Sequence, residues 1–288
     1  MILFQNKVRL MGVLNVTPDS LFGGILNDAQ DGNYKLRIEK VARQMIVDGA
    51  QIIDVGGEST GPGSSDISSD EEWGRIEPVL KVLKKIREEG LEFEISIDTY
   101  KSDVLEKALK YGADILNDVT ALRGDINMLK LVADSGVKVC IMYSVLPLSA
   151  GGNIVRTNNE EVQYEDVIET IAGFWEERID YLKSNGISFE RIILDPGMGA
   201  FVSGDAKYSF EILDRLGELK DMFADFPILV GASRKGFTGL VFDENRNVVK
   251  KLPVGERLNG SLAAAKTAIK NGADIIRVHD VAETFAIL

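Results

Sequence analysis

Residues 271–280 read NGADIIRVHD, and the pattern occurs twice earlier, as DGAQIID at 48–54 and YGADILND at 111–118. Each copy has Gly-Ala, a spacer, two branched apolar residues and then a polar one. The glycines, Gly49, Gly112 and Gly272, read as left-handed residues that close a preceding helix. The apolar pair then builds a buried strand. Asp54, Asn117 and Arg277 fall at equivalent strand-end positions. A polar group buried there without a partner costs about 1–3 kcal/mol, so these three need partners. Strand residues two apart share a face, which sets Arg277 beside His279, the only histidine of the chain.

The rest of the chain repeats this alternation. Short β-branched runs (VRLMGVLNV, AQIIDVGG, EFEISIDT, ADILNDV, VKVCIMYS, RIILDPG, PILVGAS, ADIIRVHD) are separated by stretches of helical period. In YKLRIEKVARQMIVDG the apolar residues Leu36, Ile38, Val41, Met45 and Ile46 predict one helix stripe. SSDEEWGRIEPVLKVLKKIREEG opens on a Ser-Asp-Glu capping signal and ends at Gly90. Eight strands, most followed by a helix, imply an all-parallel sheet. At 288 residues the expected fold class is α/β, a (β/α)8 TIM barrel forming a single domain over 1–288. No Gly-x-Gly-x-x-Gly follows the first strand, which weakens a dinucleotide-binding reading.

Composition narrows the function classes. The chain is 45% hydrophobic, with a net charge of −12. That acidity argues against nucleic acid or an anionic membrane surface as partner. An anionic substrate therefore needs local cations. No apolar run approaches the roughly 18 residues of a bilayer span, and the N-terminal MILFQNKVRLMGVLNV lacks the layout of a signal peptide. A cytoplasmic protein is expected. The single cysteine, Cys140, sits in the apolar run VKVCIMY and reads as a buried, inert thiol.

Strand-end polar residues collect into one set: Asn15, Asp54, Asp98, Asn117, Asp195, Lys235, Arg277 and His279. In a barrel these ends converge on one mouth, the catalytic face. Asp98, Asn117, Asp195 and Lys235 offer fixed acceptors and donors for a flat polar heteroaromatic ring. Arg277 and His279 offer donors to an anion. GASRKGFTG places Ser233 and Arg234 where a helix N-terminus able to hold an anion is expected to begin after strand seven. There is no Cys/His metal cluster, and His279 has no evident orienting partner in the sequence.

Seven motifs in order, MGVLNVTPDS, IIDVGGEST.PG, SIDTYK, ILNDV, ILDPGMG, GASRKGFTG and NGSLAAA…NGADIIRVHDV, run from residue 11 to 281. Together they resemble the dihydropteroate synthase family, pterin-binding (β/α)8 enzymes of folate synthesis. The resemblance implies that 6-hydroxymethyl-7,8-dihydropterin diphosphate is joined to p-aminobenzoate with loss of pyrophosphate. It implies a pterin pocket of Asp98, Asn117, Asp195, Lys235 and Met142, with Asp54 orienting the substrate. It places the diphosphate on Asn15, Arg277 and His279, and gives Asn15 to Mg2+. It puts the p-aminobenzoate subsite at Thr60, Pro62, Ser233 and Phe201, with Asp98, Lys235, Arg277 and His279 as the catalytic set. A homodimer through outer helices is likewise implied. An SN1-like substitution suits this set, because no strong base has to activate the amine.

Three stretches depart from the family pattern. TPDSLFGG is shorter than usual and lacks a second aspartate. Gly61 stands where an arginine is common. DPGMGAFVSGDAKYS lacks the family lysine and is about two residues longer, as in sulfonamide-insensitive members. Phe201 is therefore expected to reshape the p-aminobenzoate pocket against bulkier sulfonamides. Two other readings share some of these residues: a methyltetrahydrofolate-binding corrinoid methyltransferase domain, and a non-catalytic pterin-binding homologue. The first needs neither the Arg277/His279 pair nor the Ser-Arg-Lys turn.

Overall fold

The computed structural model describes residues 8–17, 34–60, 64–155, 162–245 and 247–288. The chain runs β1 (Arg9–Asn15), α1 (Tyr34–Val47), β2 (Ala50–Gly56), α2 (Ser69–Glu88), β3 (Glu94–Asp98), α3 (Ser102–Leu109) and β4 (Ile115–Asp118). It continues through α4 (Met128–Ser135), β5 (Lys138–Met142), α5 (Val167–Ser184), β6 (Ile192–Asp195), α6 (Ala206–Asp214), α7 (Leu216–Met222) and β7 (Leu229–Val230). A hairpin of β8 (Leu240–Phe242) and β9 (Val248–Lys251) precedes α8 (Leu258–Lys270), β10 (Ile275–Val278) and α9 (Val281–Phe285).

Eight strands pair in the order β6-β5-β4-β3-β2-β1-β10-β7. A parallel bridge between Leu194 and Ile228 joins β6 to β7 and closes the ring. This is the expected (β/α)8 barrel. Alternation along each strand sorts the residues. On β2, Ile53 and Val55 face the helices, while Ile52 belongs to an inner layer with Met11, Ile115, Cys140, Ile193, Leu229 and Ile275. Cys140 is buried in that layer, and burial pushes its thiol well above the usual range, so it is inert as expected. Below the layer Glu94 accepts from Lys138 Nζ at 2.6 Å and also meets Arg9, which plugs the strand starts with charge. Above it lie the polar strand ends.

The helix signals hold in detail. Ser68 accepts from the Glu71 backbone N–H at 3.1 Å and caps α2. Gly49, Gly112 and Gly272 all take positive φ, at 108°, 86° and 101°. Two expectations need correction. Leu36 is 64% exposed, because the buried stripe of α1 is Ile38, Ala42 and Met45, and Leu36 lies about 200° around the helix from Ile38. No α-helix begins at Ser233–Arg234. The segment turns through a short 3-10 stretch, Gly236–Gly239, and runs into the β8–β9 hairpin.

Candidate active site at the strand ends

Asp54 is the hub of the mouth. It has no solvent exposure, and its Oδ1 accepts from Ser96 Oγ at 2.5 Å. Its Oδ2 accepts from Arg277 Nε at 2.7 Å and Asn117 Nδ2 at 3.3 Å. The three polar residues of the repeated pattern, on β2, β4 and β10, thus solve their burial jointly. Arg277 forks further, its Nη2 donating to Asp98 Oδ2 at 2.6 Å. Strand register makes this possible: Asp54 lies opposite Ser96, Gly56 opposite Asp98, and Asp98 opposite Asn117.

The opposite wall carries Asp195 and Lys235. Asp195 ends β6 opposite Met142 of β5 and accepts from the Gly197 backbone N–H at 2.8 Å. Gly197 sits at φ 70°, and an added Cβ would lie 2.3 Å from the Tyr143 carbonyl, so only glycine allows this turn. Lys235 Nζ donates to the Met198 carbonyl at 3.0 Å and lies 4.4 Å from the centre of the Phe201 ring. Met142 shares an apolar cluster with Tyr100, Val119 and Ile154, against which Phe201, Leu146 and Leu148 pack. A flat ring placed here finds carboxylates and an amine at its edge and apolar groups at its faces.

Burial and neighbours set the protonation states. Burial raises Asp195 to about 6 against the pull of the Gly197 N–H and Lys235. Burial lowers Lys235 to about 8, with Asp195 opposing. For Asp98 burial is again the largest influence, and the net shift is upward despite Arg277. The Arg277 fork opposes that desolvation and favours the charged form. Burial works against the Arg277 cation, but Asp54 and Asp98 outweigh it and keep it charged.

Arg277 and His279 do not form a free pair of donors. β10 ends at Val278, so His279 lies just past the strand. Its Nδ1 is 3.0 Å from Ser233 Oγ, which also accepts from the His279 backbone N–H at 3.2 Å. Ser233 is thus the orienting partner that the sequence did not reveal. Burial, then the charges of Arg277 and Arg234, lowers His279 to about 4. At neutral pH it brings a neutral ring to the mouth. Arg234, at φ 59°, pairs with Asp280 through Nε at 2.9 Å and through Nη2.

Asn15 ends β1 with a buried Oδ1 that has no hydrogen-bond partner among the described residues. Opposite it, Gly56 leaves the room, since a Cβ there would come within 2.8 Å of that oxygen. Among the described residues no group of three or more His, Cys, Asp or Glu side chains is arranged to hold a metal. Thr60 is half-buried in the loop after β2. Pro62, Gly61 and residues 18–24 of the first loop lie outside the described residues.

The family model described as "Pterin binding enzyme" matches residues 11–279. The dihydropteroate synthase of Clostridium beijerinckii is 36% identical over 279 residues, covering 96% of this chain and 90% of that protein. The chain belongs to the dihydropteroate synthase family. The Escherichia coli K12 family member is 38% identical over 96% of this chain and 88% of its own length. Among solved members, the Clostridium difficile dihydropteroate synthase crystallised in the presence of pteroic acid superposes with a TM-score of 0.78. It is 39% identical and covers 100% of this chain and 96% of its own. The Burkholderia cenocepacia enzyme complexed with 7,8-dihydropteroate gives 0.76 at 33% identity, covering 99% and 90%.

Several residues that build the site escaped the sequence reading. Ser96 fixes Asp54, and its only signal was its place two residues before Asp98 on the same strand face. The Met198 carbonyl, which holds Lys235, has no side-chain signal at all. Below the loop after β2, Lys101 Nζ binds Glu72 Oε2 at 2.7 Å and also Glu58, while Tyr100 donates to Glu58 Oε1 at 3.1 Å. Among the described residues no helix is long and apolar enough to cross a membrane.

Proposed function

We propose that this chain is a working dihydropteroate synthase, condensing 6-hydroxymethyl-7,8-dihydropterin diphosphate with p-aminobenzoate and releasing pyrophosphate. The observation that carries the reading is the convergence of Asp98, Asn117, Asp195 and Lys235 on one mouth, threaded by the Arg277 fork. Asp195 accepts from the pterin ring, Lys235 donates to it, and Met142 and Phe201 cover its faces. Asn117 and Asp54 hold Arg277 and Asp98 in place. As the bond to the diphosphate breaks, Asp98 faces the positive charge that grows on the pterin methylene and stabilises it electrostatically. The p-aminobenzoate nitrogen then attacks, from a subsite lined by Thr60, Ser233 and Phe201.

Arg277, His279 and Asn15 receive the diphosphate. His279 acts as a neutral N–H donor fixed by Ser233, and Arg277 lends the edge of its guanidinium not taken by the two carboxylates. Mg2+ fits the unpartnered Asn15 oxygen, because this ion takes few protein ligands and completes its shell with water and phosphate oxygens. When bound it supplies positive charge to the leaving group.

The same reading makes the chain one cytoplasmic domain over 1–288 that dimerises through its outer helices. The Phe201 ring beside Lys235 supports its role against sulfonamides. Phe201→Ala is expected to strengthen sulfonamide inhibition, and unchanged inhibition removes that role. The function itself is tested by incubating the protein with both substrates and Mg2+ and following pyrophosphate. Release that depends on p-aminobenzoate is the expected result. Tight pterin binding without turnover points to a non-catalytic homologue, and methyl transfer from methyltetrahydrofolate to a corrinoid protein points to the methyltransferase.

A further inference from the structure

Beside the barrel mouth, a cavity of about 1000 Å³ opens between the loops after β3, β4 and β5 and helix α5. Its wall has two characters. Ile126, which is 94% exposed, lies on it with Leu148 and Tyr181, and the cations Lys101, Arg123 and Arg178 lie on it as well. Lys101 is committed to Glu58 and Glu72. Among the described residues neither Arg123 nor Arg178 makes a contact ion pair, although Asp118 and Glu177 attract both from a distance.

Their surroundings are unusual for arginines in a chain of net charge −12. Arg178 is only 6% exposed, yet among the described residues its one hydrogen bond runs from Nη2 to the Ala121 carbonyl at 2.8 Å, and its buried Nε finds no partner there. Its guanidinium lies 4.6 Å from the centre of the Tyr181 ring. Arg123 donates from Nε to the Thr120 carbonyl at 2.9 Å and rests against Phe174. Burial, and then the charge of Arg123, pulls Arg178 below its ordinary value. The one carboxylate among the described wall residues, Asp125, is already used: it accepts from the backbone N–H groups of Ser102 and Asn127 at 2.8 and 2.9 Å. A largely buried guanidinium with an unpartnered Nε is costly, and a second one close by makes it more so; Asp118 and Glu177 attract both arginines but contact neither. An anion held by both removes that cost, and arginine donors suit carboxylate and phosphate oxygens.

We propose that this cavity binds a small organic anion, a phosphate ester or carboxylate on a flat apolar body, with Arg123 and Arg178 taking the charged group and Ile126 and Tyr181 the body. The site adjoins the apolar cluster of Met142 and Phe201 through Tyr100 and Leu148, but its arginines are separate from the residues assigned to the pterin, and it does not rest on the function proposed above.

The test is calorimetric titration of the full chain with phenyl phosphate, benzoate and inorganic phosphate. Phenyl phosphate is expected to bind one-to-one and more tightly than inorganic phosphate. Arg123→Gln, on the more exposed part of the wall, is expected to weaken it at least about tenfold with an unchanged melting temperature. Arg178→Lys, which keeps the charge, is expected to retain part of the affinity. Benzoate binding alongside phenyl phosphate supports the whole anion class; phenyl phosphate alone confines the site to phosphate esters. Absence of binding by both aromatic anions overturns the proposal, as does binding to Arg123→Gln within about twofold of wild type. Equal affinity for inorganic and phenyl phosphate overturns the assignment of an apolar body.

Discussion

Asp195 and Lys235 are shifted toward each other by the same burial, and this gives the site its pH behaviour. Asp195 titrates near 6 in the folded chain, above its ordinary 3.8. Its contribution to stability in the absence of ligand is full below pH 4 and is lost as pH rises toward 6, because the folded state holds the proton more tightly. Pterin binding has the opposite slope, since the ring needs the ionised acceptor. The dissociation constant of a pterin ligand should rise about tenfold per pH unit below about 6, and a flat profile from pH 5 to 7 by calorimetry contradicts this role. Arg277 makes a second case. Residue type and spacing marked Asp54, Asn117 and Arg277 as buried polar groups needing partners, but not that they would meet on one carboxylate. With Asp54 and Asp98 both leaning on it, Arg277→Ala should destabilise the chain by about 3–5 kcal/mol in denaturant titrations. Arg277→Lys should recover part of that loss. A variant that lost only diphosphate affinity would instead show Arg277 to be a free anion clamp.

Elements were legible where local chemistry and burial agreed. The eight strand runs, the Ser68 cap and the left-handed glycines all follow from short-range rules, and all are found. The β8–β9 hairpin was not legible, because Phe242, Val248 and Val249 are exposed and leave no alternation to read. The turn after β7 misled for a related reason: Ser-Arg-Lys suits a helix start, but Arg234 is held in left-handed geometry by Asp280, an ion pair across 46 residues. The glycines allow a graded test. Gly49 and Gly112 share positive φ, but a Cβ at Gly49 would lie 2.4 Å from the Phe285 ring, whereas at Gly112 the nearest atom is an Arg87 nitrogen at 3.2 Å. Gly112→Ala should cost about 1–2 kcal/mol from backbone conformation alone. Gly49→Ala should cost more, and thermal melts showing the reverse order contradict this account of the helix ends.

On the scale of the molecule, the fold was legible because it repeats, and a repeated Gly-Ala-apolar-polar unit leaves few topologies. The site was legible as a list of strand-end residues. It was not legible as a set of protonation states, since His279 and Asp98 depend on neighbours far apart in sequence. Net charge also acts at this scale. A chain at −12 repels a diphosphate until the local cations of the mouth take over. Raising ionic strength from about 0.01 to about 0.1 M shortens the Debye length from about 30 to about 10 Å. kcat/KM for the pterin diphosphate should therefore rise, and a steep fall would mean that local attraction governs the encounter.

Asp195, at the end of β6, is the group proposed to read the pterin ring. Calorimetric titration of a pterin ligand into wild type and Asp195→Asn tests it most directly, because the amide keeps the shape and removes the paired acceptor oxygens. A loss of about a hundredfold or more in affinity, with the fold intact by circular dichroism, is the predicted result. Affinity within about threefold of wild type would place the pterin elsewhere.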